Sequence, residues 1–257
     1  MLAVLFEPEE TRYDLRWRML GTPIRVHPMF WLVNLVLGWQ GAMDPQGGGF
    51  PSLFLWIGCV FVSILVHEFG HVLMGKWFGS HGYIVLYGMG GLAVGSNVLQ
   101  RRWQRILVSF AGPGAEFLLL AAFWGLVRLL GPHLSREWIP YVNQMVVYMV
   151  WINLFWGLLN LLPIWPLDGG QITRELCMAI MPVRGVSCSL GISLVVSGVL
   201  AVHTFMASRG QPLIPLRYLN FGSTFMAIFF LMFCISSFSA LQAESDRHRR
   251  WDHDEWT

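Results

Sequence analysis

The sequence predicts an all-α polytopic membrane protein of about six transmembrane helices, with a short membrane-associated β-hairpin after the second. Three observations carry this reading. Hydrophobic residues make up 55% of the 257 positions and charged residues only 12%, about half the roughly 25% charged share of a soluble domain. The apolar residues gather into stretches near the roughly 20 residues that cross a bilayer. Lysine occurs once, as Lys76, among 13 Trp and 18 Phe, so charge is too scarce to cover a soluble surface of this size.

The first predicted span covers residues 28–43, short and opened by Pro28. The loop GAMDPQGGGFP, rich in turn residues, leads to a second span at 52–78. Residues 83–96 read YIVLYGMGGLAVGS, apolar and β-branched around Gly88-Met89-Gly90-Gly91, which is a hairpin pattern. A hairpin at membrane depth is tolerable only where protein or a water-filled cavity satisfies its edges, so a cavity is expected beside it. Further spans follow at 106–130, 141–162, 185–207 and 220–241. The sequence reads as a single integral membrane domain over 1–257, with 244–257 as a charged, solvated tail. The first ten residues are too short for a signal-peptide core, so the first span is expected to target the chain.

Composition also excludes partners. With 17 basic and 15 acidic residues there is no basic face for nucleic acid. The four cysteines form no CxxC pair, which argues against a disulfide framework and a Cys zinc site.

The second span holds His67-Glu68-Phe69-Gly70-His71. Two His four apart on a helix share one face and can reach one ion, while Glu68 is placed to reach water instead. Intramembrane ionisable groups are costly and usually functional. Catalytic zinc takes three protein ligands and keeps one position open; Glu116, Asp168 and Glu175 are the candidate third ligands in the apolar part of the chain. Asp168 follows Pro163 and Pro166, which stop the fourth helix, and precedes Gly169-Gly170, which permit a tight bend. Glu116 is expected in the first turn of a helix opened by Pro113, where a carboxylate suits the helix dipole. Asn153 reads as an interhelical contact. His27, His81, His133 and His203 are expected to lie outside the ligand set.

These motifs together resemble the site-2 proteases, a family of intramembrane zinc metalloproteases. HEFGH at 67–71, the Gly-rich hairpin, AGPGAEF at 111–117 and NLFWGLLNLLPIWPLDGG at 153–170 carry the likeness; Glu116 stands where the family usually has Asn. The resemblance implies one zinc ion per chain on His67, His71 and Asp168, Glu68 as catalytic acid/base, and Asn160 near the scissile carbonyl. It implies an endopeptidase that cuts a single-spanning membrane protein within or near its spanning segment, in the compact form without PDZ or CBS modules. With no such module, recognition would use the membrane core or a separate regulatory membrane partner. A membrane metal transporter and a non-catalytic helix-binding relative are the alternatives; neither needs Glu68 kept beside intact ligands.

Six spans put 13 of the 17 Lys and Arg on the side of both termini. Since Lys and Arg in short loops stay cytoplasmic, both termini are expected in the cytoplasm and the zinc toward that leaflet. The expected location is a cell membrane, in particular a bacterial inner membrane.

Overall fold

The computed structural model describes residues 7–43, 48–88, 90–211, 213 and 223–254, without the side chains of 40 and 248–254. They divide into two units, 1–160 and 161–257. The first unit opens with strands β1 (Leu15–Met19) and β2 (Thr22–Val26), then helices α1 (Pro28–Met43) and α2 (Gly49–Trp77). Strands β3 (Tyr83–Tyr87) and β4 (Gly90–Val94) and helix α3 (Arg102–Leu130) follow. A last rod joins α4 (Ile139–Val150), a π-helical stretch at Trp151–Trp156 and α5 (Gly157–Asn160).

The predicted hairpin is present as β3 and β4, paired antiparallel with Val85 opposite Leu92. Its turn residue Met89 lies outside the described residues. The sequence reading did not anticipate β1 and β2. They form a second hairpin, turned by Leu20 at φ 50 and Gly21 at φ 68, and β2 pairs in parallel with β3, Ile24 opposite Ile84. The result is one four-stranded sheet in the order β1-β2-β3-β4. The β1 stretch LRWRM alternates apolar and polar residues, a strand pattern, but it is only five residues long and lies in the charged segment ahead of the first apolar run.

Packing explains why the sheet forms. Ile24, Val26, Ile84 and Leu86 are buried with Phe30, Val60 and Val72, so the sheet and helices α1 and α2 share one core. Lys76, in the last turn of α2, donates from Nζ to the Leu20 carbonyl at 3.1 Å and Thr22 Oγ1 at 2.7 Å. The chain's one lysine thus fastens the β1–β2 turn to the end of α2. Residues before β1 are held by Arg25, nearly buried, which pairs with Glu7 at 2.7 Å and Asp14 at 3.3 Å.

Among the described residues, five helical stretches are long and apolar enough to cross a membrane: Gly49–Trp77, Arg102–His133, Ile139–Asn160, Gly185–Ser208 and Thr224–Arg247. They match five of the six predicted spans and make this a multi-pass membrane protein. The remaining predicted span is α1, a helix of 16 residues, about 24 Å at 1.5 Å per residue.

Pro113 does not open a helix. It lies inside α3, which begins at Arg102. The missing N–H costs one backbone bond, but the segment packs closely: a Cβ at Gly70 of α2 would collide with the Ala111 carbonyl. Tight burial against α2 keeps the chain helical through the proline.

The second unit holds α6 (Asp168–Ile180), α7 (Gly185–Ser208) and α8 (Thr224–Asp254). Helices α7 and α8 meet through small polar residues, with Ser193 and Ser237 hydroxyls 2.7 Å apart. The tail expected from residue 244 continues α8 as far as Asp254.

Candidate metal centre

The chemistry-bearing part of α2 is its buried middle. His67 and His71 are each 7% exposed and Glu68 5%, in a helix otherwise almost wholly apolar. The four-residue spacing puts both imidazoles on one face, and their Nε2 atoms stand 3.1 Å apart.

What each ring does with its other nitrogen decides what those Nε2 atoms are. His71 Nδ1 is 2.7 Å from the Val108 carbonyl of α3. A carbonyl oxygen only accepts, so Nδ1 carries the proton and Nε2 of the neutral ring is a bare lone pair. On His67, Nδ1 faces Glu116 Oε2 at 3.2 Å. At 3.1 Å the bare Nε2 of His71 accepts from Nε2–H of His67 in one tautomer. With the His67 proton on Nδ1, toward Glu116, both Nε2 atoms are lone pairs that a cation between them would satisfy. Two nitrogens on a tetrahedral zinc, at 2.0–2.1 Å bonds, would be about 3.3 Å apart, close to the observed separation.

Space around these atoms is reserved by glycine. A Cβ at Gly112 of α3 would lie 2.8 Å from His67 Nε2 and closer still to His71 Nε2. A Cβ at Gly91 of β4 would lie 2.6 Å from Glu68 Oε1. Glu68 therefore rests directly on the backbone of β4, the terminal strand of the sheet. Neither glycine was singled out as a site residue from sequence. A glycine facing His67 and His71 across α3 was the available signal, hidden until the α2–α3 pairing was known.

In the second unit, Asp168 is the first residue of α6 and 9% exposed. Gly169 and Gly170 let the chain fold back on itself there: a Cβ on either would strike the carbonyls of Leu161 or Ile164. His67 and His71 in the first unit offer two imidazole nitrogens, and Asp168 in the second offers a buried carboxylate. Of the other candidates, Glu116 sits on the Nδ1 side of His67, and Glu175 lies two turns farther along α6. The donor set, two imidazole nitrogens and one carboxylate, suits zinc.

Asn160 ends α5 and is 9% exposed. Asn153 does join helices: its Nδ2 donates to Ser63 Oγ of α2 at 2.9 Å and to the Met149 carbonyl at 2.9 Å. His203 is buried on α7.

Comparison with known proteins adds three findings. Residues 135–202 match the model of peptidase family M50. The chain is 32% identical over 167 residues to a putative zinc metalloprotease of Synechocystis, covering 62% of this chain and 42% of that protein. It is 29% identical over 168 residues to a zinc metalloprotease of Methanocaldococcus jannaschii, covering 64% and 45%. The chain thus spans less than half the length of these curated relatives. In fold it is similar to the solved site-2 protease from Methanocaldococcus jannaschii, with a TM-score of 0.58, 20% identity, and coverage of 89% of this chain and 95% of that one.

Proposed function

We infer that this chain, a relative of the site-2 proteases, is an intramembrane zinc endopeptidase that hydrolyses peptide bonds within or near the spanning segments of membrane-anchored proteins. The observation that carries the reading is the pair of convergent Nε2 atoms with Glu68 beside them: two ligands made ready for a cation, and a carboxylate that is not one of them. His67, His71 and Asp168 would hold one zinc ion. Zinc, when bound, supplies a Lewis acid that polarises a carbonyl and acidifies water. Glu68 takes the proton of the attacking water and returns it to the amine as the C–N bond breaks. Asn160 offers an amide donor to the substrate backbone or the developing oxyanion.

Substrate access follows from the hairpin. A transmembrane helix hides its carbonyls in internal hydrogen bonds, so the cut segment must unwind and its backbone must find new partners. Strand β4 closes the sheet order and touches Glu68, so an extended segment added along it would pass the catalytic carboxylate. The substrate is a single-spanning protein in the same bilayer, and a separate membrane protein can supply regulation. The Lys and Arg distribution supports cytoplasmic termini, and the bacterial relatives support a bacterial inner membrane.

Zinc content and proteolysis of purified variants test the assignment. Glu68→Gln should abolish cleavage of a single-spanning substrate with zinc retained. His67→Ala, His71→Ala and Asp168→Ala should lose zinc and cleavage together. A Glu68→Gln protein that still cleaves would overturn the enzyme reading, and stoichiometric zinc in Asp168→Ala would remove Asp168 from the ligand set.

A further inference from the structure

Glu116 is a fully buried carboxylate in the apolar helix α3, and its place in the fold gives it a task. Val108, Gly112 and Glu116 are spaced by four along α3, so they form one stripe on one face of the helix. That stripe lies along the His67–His71 face of α2. At one end the Val108 carbonyl accepts from His71 Nδ1 at 2.7 Å. In the middle Gly112 leaves room for both Nε2 atoms. At the other end Glu116, fully buried, brings Oε2 to 3.2 Å from His67 Nδ1. Each histidine turns Nε2 inward and Nδ1 toward an oxygen of α3, in a hydrogen bond for His71 and at ion-pair distance for His67.

We propose that Glu116 is the positioning residue for His67: its carboxylate accepts the Nδ1–H, fixes the tautomer that leaves Nε2 bare, and strengthens that nitrogen as a ligand. This rests on the zinc reading above. An imidazole's two nitrogens lie on opposite flanks of the ring, so a carboxylate on Nδ1 does not share the ion held by Nε2. Glu116 is therefore a partner of the ligand rather than a ligand. Carboxylates in this relation to a metal-bound histidine raise its basicity and hold its ring in place, and their loss typically weakens metal binding by about 10- to 100-fold. A carbonyl does the same for His71 without charge, so the two halves of the centre are unequal and His67 is the half a side-chain substitution can weaken.

A second contact gives an independent handle. A Cβ at Gly157, where α5 begins, would stand 2.9 Å from Glu116 Oε2. Gly157→Ala should displace the carboxylate without removing any polar group.

The test measures zinc affinity by competition with a chromogenic chelator, on full-length protein in detergent, for wild type, Glu116→Gln, Glu116→Ala, Gly157→Ala and His67→Ala. Glu116→Ala is expected to weaken binding about 10- to 100-fold, with Glu116→Gln, which keeps an acceptor but no charge, in between. Cobalt-substituted Glu116→Gln should keep the absorption of a four-coordinate site, because no ligand is lost. If Glu116→Ala fails to fold, Glu116→Gln and Gly157→Ala carry the comparison. Wild-type affinity in Glu116→Gln and Gly157→Ala alike overturns the proposal, as does a changed cobalt coordination number, which would make Glu116 a ligand. A wild type that binds no stoichiometric zinc, or a His67→Ala protein that binds it as tightly as wild type, would instead overturn the underlying zinc reading.

Discussion

Replacing Gly112 with alanine adds one methyl group at the most crowded point of the centre. The new Cβ would stand 2.8 Å from His67 Nε2, 0.6 Å inside the 3.4 Å lower edge of ordinary contact, and nearer still to His71 Nε2. Neither imidazole is the loose end of a long side chain. His71 can retreat only by giving up its 2.7 Å bond to the Val108 carbonyl, and His67 only by turning against Glu116. Overpacking of this kind costs about 1–3 kcal/mol, and the forfeited hydrogen bond about 0.5–1.5 kcal/mol. Without zinc the rings can rotate away, so the strain falls on the metal-bound state. About 1.5–4.5 kcal/mol corresponds to a loss of roughly 10- to 2,000-fold in zinc affinity. Chelator competition measures that loss, and thermal unfolding of the zinc-free protein shows that the fold survives. Gly112→Ala with zinc affinity within threefold of wild type would refute the argument that this glycine makes space for the two nitrogens.

Three other outcomes follow from the same geometry. Asp14 is opposed by burial, but its bonds to the Thr11 hydroxyl and amide and to Arg25 hold its carboxyl at about 2 against an ordinary 3.8. A depressed carboxyl stabilises above its ordinary value and loses that contribution as pH falls through the folded one. Hydrogen-exchange protection of residues 7–26 should therefore decline between pH 3.8 and about 2, and protection unchanged at pH 2 would mean Asp14 anchors nothing. Substrates whose spanning helix carries Gly or Pro near the cut should be cleaved faster than stiff ones; equal rates would count against addition to β4. Single cysteines at Gly48 and Glu244, with the four native cysteines replaced, should react with an impermeant thiol reagent from opposite sides, Gly48 from outside. Labelling of Glu244 alone from outside would reverse the proposed orientation.

The helices and the facing pair of histidines were legible in the sequence because both rest on local spacing. Apolar runs of bilayer length need no partner to be recognised, and HEFGH places its two histidines by helical period alone. The β3–β4 hairpin showed itself through glycines between β-branched runs. What escaped was whatever depends on a distant neighbour. Strand β2 is held in the sheet by β3, some 60 residues on, and β1 pairs with β2 in turn. The helix α3 continues through Pro113 because α2 packs against it. Gly112, Gly91 and the Val108 carbonyl acquire meaning only once α3 and β4 are laid against α2. Glu116 was noticed as a departure, yet its placement in a first helical turn concealed that it faces His67.

The parallel pairing of β2 with β3 also constrains the path of the chain through the bilayer. Both strands belong to one sheet, so the polypeptide leaving at Val26 must return to the same side by Tyr83. Between them α2, of 29 residues, makes a one-way passage of about 43 Å. A round trip needs an even number of passages, and α1, the helix between β2 and α2, is the segment available for the outward leg. At about 24 Å it is some 6 Å shorter than the roughly 30 Å hydrocarbon layer. A short spanning segment is accommodated by local thinning of the lipid, by snorkelling flanks or by oligomerisation, at fractions of a kcal/mol per Å. The sheet thereby works as a level: by holding Val26 beside Leu86, it ties the start of α1 to the end of β3 at one height.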